Sequence, residues 1–142
     1  MAVFDGIPAF PDSDYHLELF GATALTDVSV GRIIAGSERD IGVTLFGTSI
    51  SIRDYSVKER DGFGTLTLVE RRKTKIVDYD VHVETANVDA TIRLLKSILS
   101  TPSLFIGELD YSSTIVFGLI ADVSQGITTP SISDLTLRVE EF

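Results

Sequence analysis

Ile76-Val77-Asp78-Tyr79-Asp80-Val81-His82-Val83-Glu84 is followed closely by Asn87-Val88-Asp89-Ala90-Thr91-Ile92-Arg93-Leu94-Leu95-Lys96-Ser97-Ile98-Leu99-Ser100. The first run has period two. Ile76, Tyr79, Val81 and Val83 read as one face, and Asp78, Asp80, His82 and Glu84 as mostly the other, which is a half-buried strand. The second run has period 3.6. Val88, Ile92, Leu95 and Leu99 make one stripe, widened by Leu94 and Ile98, with Asp89, Arg93, Lys96 and Ser97 opposite. Asn87 reads as the N-cap, Asp89 suits the positive end of the helix dipole, and Pro102 disfavours helical geometry at Thr101. One helix near residues 87–100 therefore flanks a strand. An apolar stripe this wide reads as packing on a sheet, or as a subunit interface.

Strands dominate the rest. Tyr15–Phe20 alternates. Val28–Ile34 is rich in β-branched residues, and Ile41–Ile52 reads as one or two strands. Tyr55–Arg60 and Thr65–Val69 flank Asp61-Gly62-Phe63-Gly64, whose two glycines suit a tight reversal, so residues 53–75 read as a long hairpin. Leu104–Ile106, Thr114–Val123 and Asp134–Glu140 complete the set. In the last, Leu135, Leu137 and Val139 share one face and Thr136, Arg138 and Glu140 the other. The expectation is a mainly-β protein, a β-sandwich with one flanking helix. It forms a single domain over residues 1–142, and residues 1–14, stiffened by Pro8 and Pro11, are an extended N-terminal arm.

With 142 residues the chain has the length of one domain, and 44% hydrophobic residues suffice for a core. No cysteine is present, which excludes disulfide and thiol chemistry. A net charge of −9 repels phosphate backbones and argues against nucleic acid as a partner. Met1–Phe10 is broken by Asp5, Gly6 and Pro8 and has no basic lead, so no signal peptide is expected. No run is long enough for a membrane span. Charge is unevenly distributed, with Arg53, Lys58, Arg60, Arg71, Arg72, Lys73 and Lys75 forming a basic middle between acidic flanks. That pattern suits head-to-tail contact between copies, and equally a solvated hairpin.

Catalytic or metal chemistry finds little support. His16 and His82 lie far apart in strands and form no helical ligand pair. Asp12 with Asp14, and Asp78 with Asp80, each place two acids two residues apart, and in a strand Asp78 and Asp80 share one face. That second pair could hold calcium or do acid–base work, but a solvent face opposite the hairpin's Lys and Arg explains it as well, and the first pair lacks the glycine and terminal glutamate of an EF-hand loop. Gly62-Phe63-Gly64 lacks the third glycine of a dinucleotide fingerprint and the Lys-Ser/Thr of a P-loop. No Gly-x-Ser-x-Gly elbow occurs. No enzyme, cofactor or metal site is expected. Phe63 at the turn is a candidate interface anchor, or else folds back on the sheet. Tyr15, Tyr55, Tyr79 and Tyr111, with the Asp78/Asp80 pair holding calcium, would carry the alternative function of a carbohydrate-binding module in host attachment.

From Arg53 onward a longer pattern emerges. Asp54-Tyr55-Ser56-Val57-Lys58-Glu59-Arg60-Asp61-Gly62-Phe63-Gly64 leads to Arg71-Arg72-Lys73 and the helix. Then come Thr101-Pro102-Ser103-Leu104-Phe105-Ile106-Gly107, Val116-Phe117-Gly118-Leu119-Ile120-Ala121-Asp122-Val123-Ser124 and Ser133-Asp134-Leu135-Thr136-Leu137-Arg138-Val139-Glu140. This resembles a family of small structural proteins of siphophage tail tips, whose members form a baseplate collar. It departs from the family at Leu119 and Ile120, where aromatics are expected. The resemblance implies an Ig-like or tail-tube-like sandwich and a non-enzymatic virion component made in the host bacterial cytoplasm. It implies a homo-oligomeric ring around the distal tail that supports fibre attachment and contacts other tail proteins such as the distal tail protein. The residues expected at the subunit interface are Arg60, Phe63, Arg71, Arg72 and Lys73.

Overall fold

A computed structural model describes residues 31–142. The Tyr15–Phe20 strand, the 1–14 arm, His16, the Asp12/Asp14 pair, Tyr15 and the first part of Val28–Ile34 lie outside the described residues. Gly31–Ile34, the rest of that last stretch, is irregular rather than a strand. The chain divides into two units, Met1–Glu38 and Arg39–Phe142, and the fold below is that of the second.

Mainly-β architecture with a single α-helix is what the structure shows. The strands are β1 (Val43–Thr44), β2 (Ser49–Asp54), β3 (Val57–Arg60), β4 (Leu66–Val69), β5 (Lys73–Glu84), β6 (Ser103–Ile106), β7 (Ile115–Ile127) and β8 (Ile132–Glu141). Helix α1 (Val88–Ile98) joins β5 to β6. A six-stranded antiparallel sheet runs β1-β5-β8-β7-β6, and β2 shares with β1 the outer edge of β5. The expected long hairpin forms and extends further than its 53–75 bounds. Asp54 pairs with Lys73, and beyond an irregularity Val57 pairs with Val69, so β3 and β4 make a separate two-stranded ribbon.

Burial follows the alternation in β8, where Ser133, Leu135, Leu137 and Val139 face inward. In β5 the inward face is Val77, Tyr79, Val81 and Val83. Ile76 has the opposite parity and lies on the face of Asp78 and Asp80, yet it is buried there, as is Thr74. The reading that sets Ile76 beside Tyr79, Val81 and Val83 is thus corrected: strand alternation gives that place to Val77, and Ile76 is buried on the opposite face. In β7 the phase itself changes. Ile120 pairs with Val139 and Asp122 with Arg138, so Ala121 is a bulge that shifts the inward positions from Val116 and Ile120 to Val123.

Helix α1 supplies the layer over this face. Val88 and Leu95 join the cluster of Val77, Tyr79, Leu137 and Val139, with Ile92 and Ile98 at its margin. The buried stripe is narrower than the sequence suggested: Thr91 lies inside it and Leu99 lies outside. Asn87 does not cap. A 3-10 turn over Thr85–Asn87 runs straight into the helix, so Asn87 already has helical dihedrals and its amide donates to Glu84 Oε2 at 3.2 Å. Tyr79 brings a hydroxyl into the core, where it donates to the Thr114 carbonyl at 2.6 Å and burial pushes the phenol's pKa up.

Candidate functional site

The ribbon is the most exposed structured part of the described chain. Every residue from Lys58 to Lys73 is exposed. Its turn is fixed by Asp61, whose Oδ1 accepts from Phe63 N at 3.0 Å and from Thr65 N at 2.8 Å, while Gly64 N donates to the Asp61 carbonyl. Gly64 takes the positive φ, +88°, and Gly62 does not, so one glycine does the work expected of two. Phe63 at the tip is 98% exposed. Its ring is therefore presented rather than folded back on the sheet. Leu66, Leu68 and Val69 add apolar surface at 50–57% exposure.

At the root, two residues (Tyr55, Ser56) face three (Glu70, Arg71, Arg72) between the two ladders. Tyr55 N donates to the Arg72 carbonyl, and Arg71 N to Ser56 Oγ. Beside this bulge lies an open groove of about 510 Å³. Tyr55, Thr74, Leu119, Ala121 and Phe142 give it apolar surface, while Arg71, Arg72, Glu140 and Glu141 give it charge. Tyr55 Oη donates to Glu140 Oε1 at 2.7 Å, and an Arg72 guanidinium N–H donates to the Glu141 carbonyl at 3.0 Å. Phe142 is held by its N–H to the Phe117 carbonyl and by edge-on ring contact with Phe117.

The five expected interface residues thus fall in two places. Arg60, on the last rung of the four-pair ladder, and Phe63 sit at the tip end, and Arg71, Arg72 and Lys73 at the root beyond its first rung. Sequence reading grouped the cations by proximity in the chain. It missed the groove, because Leu119, Ala121 and Phe142 come from elements that only pairing brings beside Tyr55.

The other face of β5 and β8 carries cross-strand polar pairs. Asp78 takes a bidentate grip from Arg138, at 2.6 and 3.0 Å, and Asp80 Oδ1 accepts from Thr136 at 3.1 Å. The partners of the acid pair are therefore on β8, not on the hairpin. His82 Nδ1 and Asp134 Oδ1 stand 2.5 Å apart with water excluded from both atoms. Thr128 holds the other Asp134 oxygen. Among the described residues no group of three or more His, Asp or Glu could hold a metal ion. Of the four tyrosines, Tyr79 is buried, which removes it from any exposed sugar platform, while Tyr55 and Tyr111 are open.

Hydrogen bonding from Arg138 holds the Asp78 carboxyl below the usual carboxylate range. A depressed carboxyl stabilises the fold above its unfolded pKa, near 4, and that contribution is lost as pH falls through the folded value. Asp78→Asn is therefore expected to lose less melting temperature than the parent chain between pH 5 and pH 2. Equal losses in paired thermal melts would show that the pair contributes nothing.

No family model and no curated protein matches this chain. Among solved structures, a chain in the tail of an empty GTA particle with C6 symmetry is similar to it, at 14% sequence identity and a TM-score of 0.49. The likeness covers 76% of this chain and 84% of that one. At that level it carries no argument about function.

Proposed function

We propose that this chain is a non-enzymatic structural component of a phage tail that oligomerises as a ring or collar around the distal tail. The observation that carries the oligomeric part is the ribbon. A lone two-stranded ribbon is marginal in water, and this one also presents Phe63, Leu66, Leu68 and Val69 to solvent. Apolar surface held out on an ordered turn fits burial against another subunit. The assignment to a tail tip rests on the sequence resemblance from Arg53 onward. In this reading the chain is made in the host bacterial cytoplasm, resides in the virion, touches the distal tail protein and supports fibre attachment. A calcium-dependent glycan site is not favoured, since Arg138 and Thr136 already occupy Asp78 and Asp80.

Light scattering on the purified chain tests the reading. The expected result is a defined oligomer whose mass falls at high salt, because exposed charges are screened. Arg71→Glu together with Arg72→Glu is expected to weaken assembly at least tenfold with an unchanged circular dichroism spectrum. Arg71→Glu alone is the cleaner variant, as Arg72 also holds the Glu141 carbonyl. Unaltered assembly in both variants would remove the root cations from the interface.

A further inference from the structure

The tip and the groove lie on the same copy but out of reach of each other. Arg71 and Arg72 line the groove, while Phe63 lies past the far end of the ladder from Val57/Val69 to Arg60/Leu66. Four paired residues span roughly 13 Å. A copy cannot seat its own tip in its own groove, yet each copy has both.

We propose that Phe63 of one copy seats in the groove formed by Tyr55, Leu119, Ala121 and Phe142 of the next, giving a head-to-tail contact. This rests on the ring reading and names the surface that receives the arm. Three observations support a second copy as the occupant. First, the groove's volume lies within the range that takes a buried organic group, roughly 300–1,000 Å³. It has room for an aromatic ring together with part of its turn. Gly62 and Gly64 flank Phe63 with open space around them, so the turn can approach closely. Second, the tip is ordered before docking by the two bonds to Asp61 Oδ1, which lowers the cost of binding. Third, charge is complementary. Residues 53–75 hold seven bases and four acids in a chain of net −9. Within the groove Glu140 and Glu141 are balanced by Arg71 and Arg72, so the complementarity is between the basic ribbon as a whole and the acidic remainder of the chain. Because donor and acceptor surfaces differ, the contact is heterologous, and it closes into a ring where the rotation allows.

The absence of native cysteine gives a clean reporter. A disulfide forms only when Cα atoms approach to about 4.4–6.8 Å. Gly62→Cys adds a thiol beside an intact Phe63 in open space, and Ala121→Cys places one at an exposed groove position. Mixing the two single variants under mild oxidation is expected to give the mixed dimer in preference to either like dimer. The double variant is expected to give a covalent ladder. Adding Phe63→Ala to the Gly62→Cys chain is expected to slow mixed-dimer formation at least tenfold, and an unchanged rate would overturn the anchoring role. If the unsubstituted chain is an oligomer by light scattering but no mixed dimer forms, groove docking is overturned and the ring reading stands. If the unsubstituted chain is monomeric at every concentration and salt, both fall.

Discussion

Leu95→Ala is expected to destabilise the protein by about 3 kcal/mol, within the range found for buried leucine truncations. Leu95 is 1% exposed and occupies the middle of the helix's buried stripe, between Thr91 and the partly buried Ile98. It joins the cluster built from Val77, Tyr79, Leu137 and Val139 of the two central strands. Truncation removes three heavy atoms from a site walled mainly by β-branched and aromatic side chains, which have little freedom to close the void. With a urea dependence of roughly 2 kcal/mol per molar, the unfolding midpoint should fall by about 1.5 M. A fall below about 0.5 M would mean that α1 is not the second layer of the core.

Gly118→Ala is expected to cost a similar amount by the opposite route. Gly118 lies in β7, paired with Ser103 of β6 on one side and Glu141 of β8 on the other. A Cβ there would stand 2.2 Å from the Glu140 carbonyl oxygen and 2.8 Å from its carbon. Both are backbone atoms, so no rotamer change relieves the clash and the two strands must part. Overpacking of this kind costs typically 1–3 kcal/mol and occasionally more. We expect about 3 kcal/mol, net of the fraction of a kilocalorie that alanine gains over glycine in chain entropy. The groove should suffer with the fold, since Phe142 is held by Phe117, next to Gly118 in β7. A urea midpoint equal to that of the parent chain would overturn the close approach of β7 and β8.

Where one face of a strand is wholly apolar, the sequence was easy to read. Leu135, Leu137 and Val139 fixed the phase of β8, and the helix was legible from Val88 to Ile98. Reading failed where phase depends on a partner strand. Nothing in Val116–Val123 marks Ala121 as the residue that slips, because the bulge is set by register against Ile120/Val139 and Asp122/Arg138. Asn87 has the chemistry of a cap but not the dihedral angles, which the preceding 3-10 turn decides. The candidate site was half legible. Phe63 and the cations follow from composition and turn chemistry. The groove does not, because its apolar lining is drawn from four separate parts of the chain.

The two edges of β5 close over very different lengths of chain. On one side β2 returns through the hairpin, with Asp54 against Lys73. On the other, Asp78 meets Arg138 only across 60 residues that include the helix and two strands. Closing a loop about three times longer costs only about 1 kcal/mol more in chain entropy, because the dependence is logarithmic. That is a bias of several-fold toward sealing the hairpin edge first. The ribbon that stands out from the finished fold is therefore also the short tether that shields one side of β5 while the other waits for β8.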